Sequence, residues 1–163
     1  MAQSAEVSIT PFTVDYVPDV FSLIDANRAH LSQFYDITAQ KYPTVQAVFD
    51  SVAKPSVIIP VIERFVILAG QTPVGNINVT PHNQYTDTYN IGYWVGNQHV
   101  GHGYAGLAVG CLETVLRDRQ PPAQRLTADT YPDNRASQHV QKGAGFIAVR
   151  WTDSATYYKK YLT

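Results

Sequence analysis

The sequence contains little sulfur, with one cysteine and one methionine among its 163 residues. Because Cys111 has no partner in the chain, an internal disulfide bond is excluded and a reducing compartment is expected. The first ten residues also lack the charged start and apolar run that are typical of a signal peptide. Together these features predict a cytoplasmic protein.

Charged residues and long apolar runs are also scarce. Charged residues make up 15% of the chain, and the formal net charge is −1. Proteins that bind nucleic acids usually carry a basic surface, so we expect no nucleic-acid partner. The most apolar stretch, residues 56–70, is interrupted by Pro60, Glu63 and Arg64, which makes it unsuited to spanning a bilayer. We therefore expect no membrane association.

The sequence shows no grouping that is typical of a metal site. The histidines do not have the spacing of metal ligands, and the single cysteine offers no thiolate cluster. The five histidines are His30, His82, His99, His102 and His139. We expect no bound metal.

The residues that are present are those of a globular protein, with 45% hydrophobic and 12% aromatic residues. The length suits a single domain, residues 1–163. In the first half, alternation of apolar and polar residues predicts one strand, helical spacing predicts two helices, and three runs rich in Val, Ile and aromatics predict an antiparallel meander. These elements begin near Glu6 and then cover residues 15–30, 44–52, 64–70, 71–80 and 89–96.

The second half continues with helices and strands in alternation. Apolar and small residues at helical spacing predict a long helix that begins near Gly103 and ends before Pro121. A strand at 125–130, a short helix that ends near Lys142 and two closing strands at 145–151 and 156–162 follow, the last with solvated lysines. The order β-α-α-β-β-β-α-β-α-β-β predicts an α+β domain with a mixed sheet.

Two glycines precede the long helix. Gly101 and Gly103 lie at its expected N-terminus, where unpaired backbone N–H groups and the helix dipole form a site for phosphate. An ordinary tight turn is one alternative. A dinucleotide-binding fingerprint, with Asp129 as the acidic partner, is another. That fingerprint normally opens a unit of a parallel sheet, so the predicted antiparallel meander disfavours it.

Four segments together resemble one known family. Gln98–Gly103 resembles the loop with which GNAT acetyltransferases hold the pyrophosphate of coenzyme A. Ile91–Val95, Asp133–Phe146 and Asp25–Phe34 are similar to the preceding strand, the later helix and the first helical region of RimJ/RimL-type members. The resemblance implies a GNAT fold, with a central, mostly antiparallel twisted sheet flanked by helices. It also implies an enzyme that transfers an acetyl group from acetyl-CoA to a primary amine, either a protein N-terminus or a small molecule.

The resemblance implies which residues bind the cosubstrate. A strand that separates from its neighbour would pair with the pantetheine arm, the glycine loop would hold the pyrophosphate, and Asn134 would form hydrogen bonds to the pantetheine or diphosphate region. Ser137 would act as the acid near the sulfur. The implied acetyl-CoA-binding residues are Tyr93, Trp94, Val95, Gln98, Val100, Gly101, His102, Gly103, Tyr104, Ala105, Asn134 and Ser137.

One departure from the family concerns the general base. Family members usually carry a glutamate where this chain has Asn90, and the candidate replacements are His82 and Asp87 in the preceding polar turn. The departure leaves open an alternative, a GNAT-fold protein that binds coenzyme A without catalysis. The resemblance is also compatible with a homodimer.

Overall fold

The computed structural model describes residues 5–54, 57 and 61–163. In these residues the seven strands follow the predicted order, and six α-helices stand where four were predicted. The strands are β1 (Val7–Pro11), β2 (Glu63–Ala69), β3 (Thr72–Pro81), β4 (Thr88–Val95), β5 (Arg125–Thr130), β6 (Ile147–Trp151) and β7 (Thr156–Tyr161). The helices are α1 (Val17–Ala26), α2 (Arg28–Leu31), α3 (Thr38–Lys41), α4 (Val45–Ala53), α5 (Tyr104–Arg117) and α6 (Arg135–Gly143).

The strands form one sheet in the order β1-β2-β3-β4-β5-β7-β6. Every neighbouring pair is antiparallel except β4 and β5, which are parallel. The predicted α+β class, with a mixed, mostly antiparallel sheet, is confirmed. The same topology excludes the parallel, doubly wound sheet that a dinucleotide-binding fingerprint requires.

The parallel pair separates after a short contact. Its paired residues run from Thr88 opposite Arg125 to Asn90 opposite Thr127. Beyond that point β4 continues for five residues, up to Val95, alongside β3 alone. The two strands therefore diverge, and the free edge of β4 forms one wall of a cleft.

Alternation along the strands divides the core between the two faces of the sheet. Phe65, Ile67 and Ala69 of β2 pack with α5 on one face, whereas Val66 packs with α1, α3 and α4 on the other. Tyr93 and Trp94 obey the same rule: Tyr93 packs on the α5 side and Trp94 on the α1 side.

The predicted helix at 15–30 is wrong in one respect, because it is broken at Asn27. The buried side chain of Asn27 donates to the carbonyl of Leu23 (2.8 Å) and accepts the backbone N–H of Asn97 (2.7 Å). Side-chain amides that bond to nearby backbone compete with helix continuation. The break turns α2 toward the cleft.

Two other differences follow from contacts distant in sequence. The short helix α3 has no counterpart among the predicted elements; Arg28 binds the carbonyl of Ala39 at 2.8 Å within it. Lys160 was expected to be solvated, but its Nζ lies 2.6 Å from Oε1 of buried Glu113 and 2.6 Å from the carbonyl of Ala144. Burial of a carboxylate requires a partner of opposite charge, and Lys160 supplies it.

Candidate active site

The glycine loop has the backbone geometry of an anion site. Gly101 and Gly103 adopt φ angles of 80° and 77°, a left-handed conformation that is costly for residues with a Cβ. Gly103 is the N-cap of α5 and has no side-chain cap, so the first N–H groups of the helix are available to a ligand. A Cβ built on either glycine meets no atom within 4 Å. Open space therefore adjoins the loop at both glycines, which leaves room for a pyrophosphate.

A cleft of about 550 Å³ runs between the free edge of β4, the glycine loop and α6. Ten of the twelve predicted cosubstrate residues line it. They are Tyr93, Trp94, Val95, Val100, Gly101, Gly103, Tyr104, Ala105, Asn134 and Ser137. The structure thus brings residues from three separate segments into one cavity.

Gln98 and His102 do not belong to that lining. Gln98 is exposed. The ring of His102 stacks on Tyr104 with centroids 5.3 Å apart, and its Nδ1 lies 3.0 Å from the carbonyl oxygen of Val100. A contact of either side chain with the cosubstrate stays a prediction.

The free edge of β4 presents backbone groups to the cleft. The N–H of Gly96 donates to the carbonyl oxygen of Val74 on β3 (2.9 Å). Because backbone groups of successive residues on a strand point to opposite sides, the N–H and C=O groups of Val95 and Tyr93 point away from β3. A ring N–H of His30, at Nε2, donates to the Val95 carbonyl at 3.2 Å. The sequence analysis assigned His30 no role beyond excluding it as a metal ligand. The break at Asn27 directs α2, and with it His30, toward the edge of β4.

Ser137 and Tyr93 are in direct contact. The Tyr93 hydroxyl lies 3.1 Å from Ser137 Oγ and 3.3 Å from the Ser137 carbonyl oxygen. Burial raises the pKa of Tyr93 to about 12, outweighing the hydrogen bond to Ser137, which lowers it. The phenol therefore keeps its proton at neutral pH and is able to donate a hydrogen bond. The nearby Gln141 side chain is 2% exposed, and its Oε1 has no hydrogen-bond partner among the described atoms.

Asn134 has a structural task at the start of α6. Its Oδ1 accepts the N–H of Ser137 at 3.0 Å, so the residue is the N-cap of the helix. That bond fixes Ser137 in the cleft wall. A contact between Asn134 and a cosubstrate would come from the side-chain NH2 group.

Neither predicted base faces the cleft. His82 Nδ1 accepts the N–H of Gln84 (3.1 Å), and Asp87 Oδ1 accepts from Thr88 Oγ1 (3.0 Å). Both precede β4 at the end where it is still paired with β5, whereas the cleft opens beyond Asn90. Their assignment as the base therefore has no support in the geometry.

Asp129 is the carboxylate that stands at the divergence. It lies on β5, two residues beyond the last pair with β4, it is exposed, and it lines the cleft. The sequence had suggested it only as part of a dinucleotide fingerprint. Its placement in the same cleft as Ser137 depends on the parallel pairing of β4 and β5, which the sequence does not reveal.

The described residues contain neither a cluster of metal ligands nor a helix that could span a membrane. Among the described residues, no three His, Cys, Asp or Glu side chains come together in a way that could hold a metal ion. Within the same residues, no helix has the length and apolar character needed to cross a membrane.

Comparison with solved structures shows the same fold throughout the chain. RimL, described as a ribosomal L7/L12 alpha-N-protein acetyltransferase in complex with coenzyme A, superposes with a TM-score of 0.82 at 17% identity, covering 99% of this chain and 97% of that one. An acetyltransferase from Thermus thermophilus gives 0.73 at 19% identity, with 98% and 100% coverage. The aminoglycoside acetyltransferase AAC(6')-Ib, in complex with coenzyme A and kanamycin, gives 0.72 at 18% identity, with 96% and 95% coverage.

Sequence comparison identifies the family. A search of curated protein sequences finds no significant match. The family described as "Acetyltransferase (GNAT) domain" matches residues 7–147, a range that includes the glycine loop, the diverging strands and the Tyr93–Ser137 contact. The chain belongs to the GNAT acetyltransferase family.

Proposed function

We propose that this protein is an acetyl-CoA-dependent N-acetyltransferase of the RimJ/RimL type, acting on a primary amine. The observation that carries the proposal is the cleft at the divergence of β4 and β5. It joins a glycine loop suited to pyrophosphate to a half-buried hydroxyl pair, Tyr93 and Ser137. An amine can approach between Ser137 and Asp129.

The loop and the strand edge bind the cosubstrate in this proposal. Backbone N–H groups at residues 101–105 hold the pyrophosphate, and the outward-facing backbone groups of Tyr93 and Val95 pair with the amide-containing arm. His30 already donates to the Val95 carbonyl at 3.2 Å, so this edge is able to accept a hydrogen bond. Acetyl-CoA, when bound, supplies the acetyl group and a thiolate leaving group.

Ser137 supplies the proton that the leaving sulfur needs. The Tyr93 hydroxyl and Ser137 Oγ are 3.1 Å apart, a contact in which either oxygen could be the donor. In the proposed mechanism the phenol hydrogen is directed to Ser137, which leaves the hydrogen of Ser137 to point into the cleft. A donor aimed at charge that develops only during the reaction stabilises the transition state more than the ground state. Asp129 holds the incoming ammonium and takes its proton. An α-amine has a pKa near 8, so this step needs only a weak base.

A second candidate function is binding of coenzyme A without catalysis. Asn90 favours it, because it stands where family members usually carry a glutamate. Its Oδ1 accepts a hydrogen bond from Thr127 Oγ1 at 3.2 Å, at the last paired position of β4 and β5. Asn90 therefore lies where β4 and β5 begin to diverge and carries no basic group.

Calorimetric titration with acetyl-CoA, coenzyme A and NAD tests the binding step. We expect both coenzyme A species to bind and NAD to bind negligibly.

Gly103→Val should weaken acetyl-CoA binding, because the added side chain meets the approaching phosphate and the φ of 77° becomes strained. Gly70→Val is the matched control, since Gly70 has a φ of 61° and similarly open surroundings but lies in the β2–β3 turn. Equal affinity in the two variants, or preferential binding of NAD, would contradict the proposal.

A further inference from the structure

A second cavity, of about 450 Å³, adjoins the cleft and shares Asp129 with it. It lies on the face of β5 and β7 opposite α5. Leu126, Ala128 and Tyr158 are buried in the α5-side core, so their neighbours Thr127, Asp129, Tyr157 and Lys159 face the other way. An acceptor whose amine reaches the divergence therefore extends its remaining atoms over this face.

The charges of this cavity are arranged in two groups. Asp129 lies on β5 at the end nearest the cleft, whereas Lys159 lies one strand away on β7, opposite Thr127, and Arg150 lies two strands away on β6, opposite Tyr157. Lys159 pairs with Thr127, and Tyr157 pairs with Asp129, so the backbone positions of Asp129 and Lys159 are about 7 Å apart along the strand direction. The Arg150 guanidinium lies 4.0 Å from the centroid of the Tyr157 ring, a contact that fixes its position.

The balance of charge favours an acceptor with an anionic group. The second cavity holds two cations, Lys159 and Arg150, against one carboxylate, together with His82. In the main cleft the numbers of basic and acidic side chains are equal: Lys41 and Arg64 are balanced by Asp36 and Asp129. A polycationic acceptor would meet net repulsion, whereas a molecule with an amine at one end and an anion a few ångströms away meets complementary charges at both.

We propose that the second cavity is the acceptor site and that it takes primary amines carrying a carboxylate or another anionic group. The ammonium lies at Asp129 and the anionic group at Lys159 and Arg150. This inference rests on the proposed acetyltransferase function. During the transfer the ammonium gives one proton to Asp129, which releases it to solvent. The nitrogen then forms the C–N bond to the acetyl carbon as the C–S bond breaks. Ser137 gives its proton to the sulfur and is reprotonated by the second proton from nitrogen, so the products are the amide, the free thiol and one proton. The neutral amide product no longer attracts Asp129, which favours its release.

A peptide panel with one common N-terminal serine tests the charge preference. The peptides are Ser-Glu-Glu, Ser-Gln-Gln and Ser-Lys-Lys, all C-terminally amidated, with free glutamate and glutamine amide as the small-molecule arms. We expect kcat/KM to be at least about 5-fold higher for the acidic peptide than for the neutral one, and lowest for the basic one, since partly exposed charge pairs contribute modestly. Comparison of glutamate with Ser-Glu-Glu distinguishes a small-molecule acceptor from a peptide N-terminus.

Two substitutions connect the preference to the cavity. Lys159→Gln and Arg150→Gln should raise KM for the acidic peptide more than for the neutral peptide and so reduce the ratio of the two kcat/KM values, and calorimetry of the acidic peptide with the coenzyme A complex should show weaker binding. Lys54→Gln is the control, because Lys54 is 81% exposed at the end of α4. If no amine is acetylated at all, the proposed function fails. If acidic and basic peptides are acetylated equally, or if the two variants keep the preference, the acceptor assignment alone is overturned.

Discussion

At the scale of single residues, the chemistry concentrates in the contact between Tyr93 and Ser137. The two hydroxyl oxygens are 3.1 Å apart. The backbone N–H of Ser137 donates to Oδ1 of Asn134, the N-cap of α6, and this bond fixes the position of Ser137. Because the phenol stays protonated at neutral pH, it is able to donate to Ser137 throughout the reaction. In the proposed mechanism the serine is the donor to sulfur and the tyrosine orients it.

Substitution of these two residues should affect turnover more than binding. Ser137→Ala should lower saturated turnover by on the order of 100-fold, and Tyr93→Phe by about 5- to 10-fold, the value of one hydrogen bond. Acetyl-CoA affinity, measured by calorimetry, should change little in both. Ser22→Ala, on the exposed side of α1, serves as the control. Unchanged turnover in Ser137→Ala would remove the serine from the mechanism and leave water as the proton source.

Tyr93 also predicts how stability depends on pH. Its pKa rises from 10.0 to about 12 on folding, so between these values the folded state binds more protons than the unfolded state. The free energy of unfolding should therefore be unaffected by this group below pH 10 and fall as pH rises from 10 to 12, by up to about 2 to 3 kcal/mol. Urea unfolding at pH 9 and pH 11 measures the slope. Tyr93→Phe should reduce it, and an identical slope in the variant would contradict the assignment.

At the scale of secondary-structure elements, the sequence predicts most strands and helices because their apolar spacing is local. It fails where a side chain from one element determines the conformation of another. Asn27 ends α1 because it binds Asn97, 70 residues away, and Asp129 reaches the cleft because β5 pairs in parallel with β4. Local periodicity carries no information on either contact. The glycine loop and Ser137 could be predicted because their motifs lie within short segments.

The Asn27 contact gives a prediction at this scale. Asn27→Ala removes the partner of the Asn97 N–H and of the Leu23 carbonyl at a buried position, which should lower the free energy of unfolding by about 1 to 3 kcal/mol. Because Asn97 begins the turn that leads into the glycine loop, acetyl-CoA affinity should fall as well. Urea unfolding and calorimetry check both effects. Gln84→Ala, in the exposed β3–β4 turn, should change neither; wild-type affinity in Asn27→Ala would show that the loop does not depend on this bridge.

At the scale of the whole molecule, the sheet separates two cores and leaves the cleft where its one parallel pair diverges. The Glu113–Lys160 pair joins α5 to β7, so the helix that begins at the glycine loop is anchored to the strands that carry the second cavity. The family match at residues 7–147 spans most of this arrangement. That the 163 residues form a single domain stays a prediction, and so does a homodimer.

The most direct test of the central claim is the stoichiometry of acetyl transfer. The purified protein is incubated with acetyl-CoA and a mixed panel of peptides and small amines, and both free thiol and N-acetylated product are quantified by mass spectrometry over time. We expect one acetamide to form for each thiol released, and almost no turnover in Ser137→Ala at saturating acetyl-CoA. Tight binding of acetyl-CoA with no acetamide formed on any amine would contradict it and identify a protein that binds the cosubstrate without catalysis.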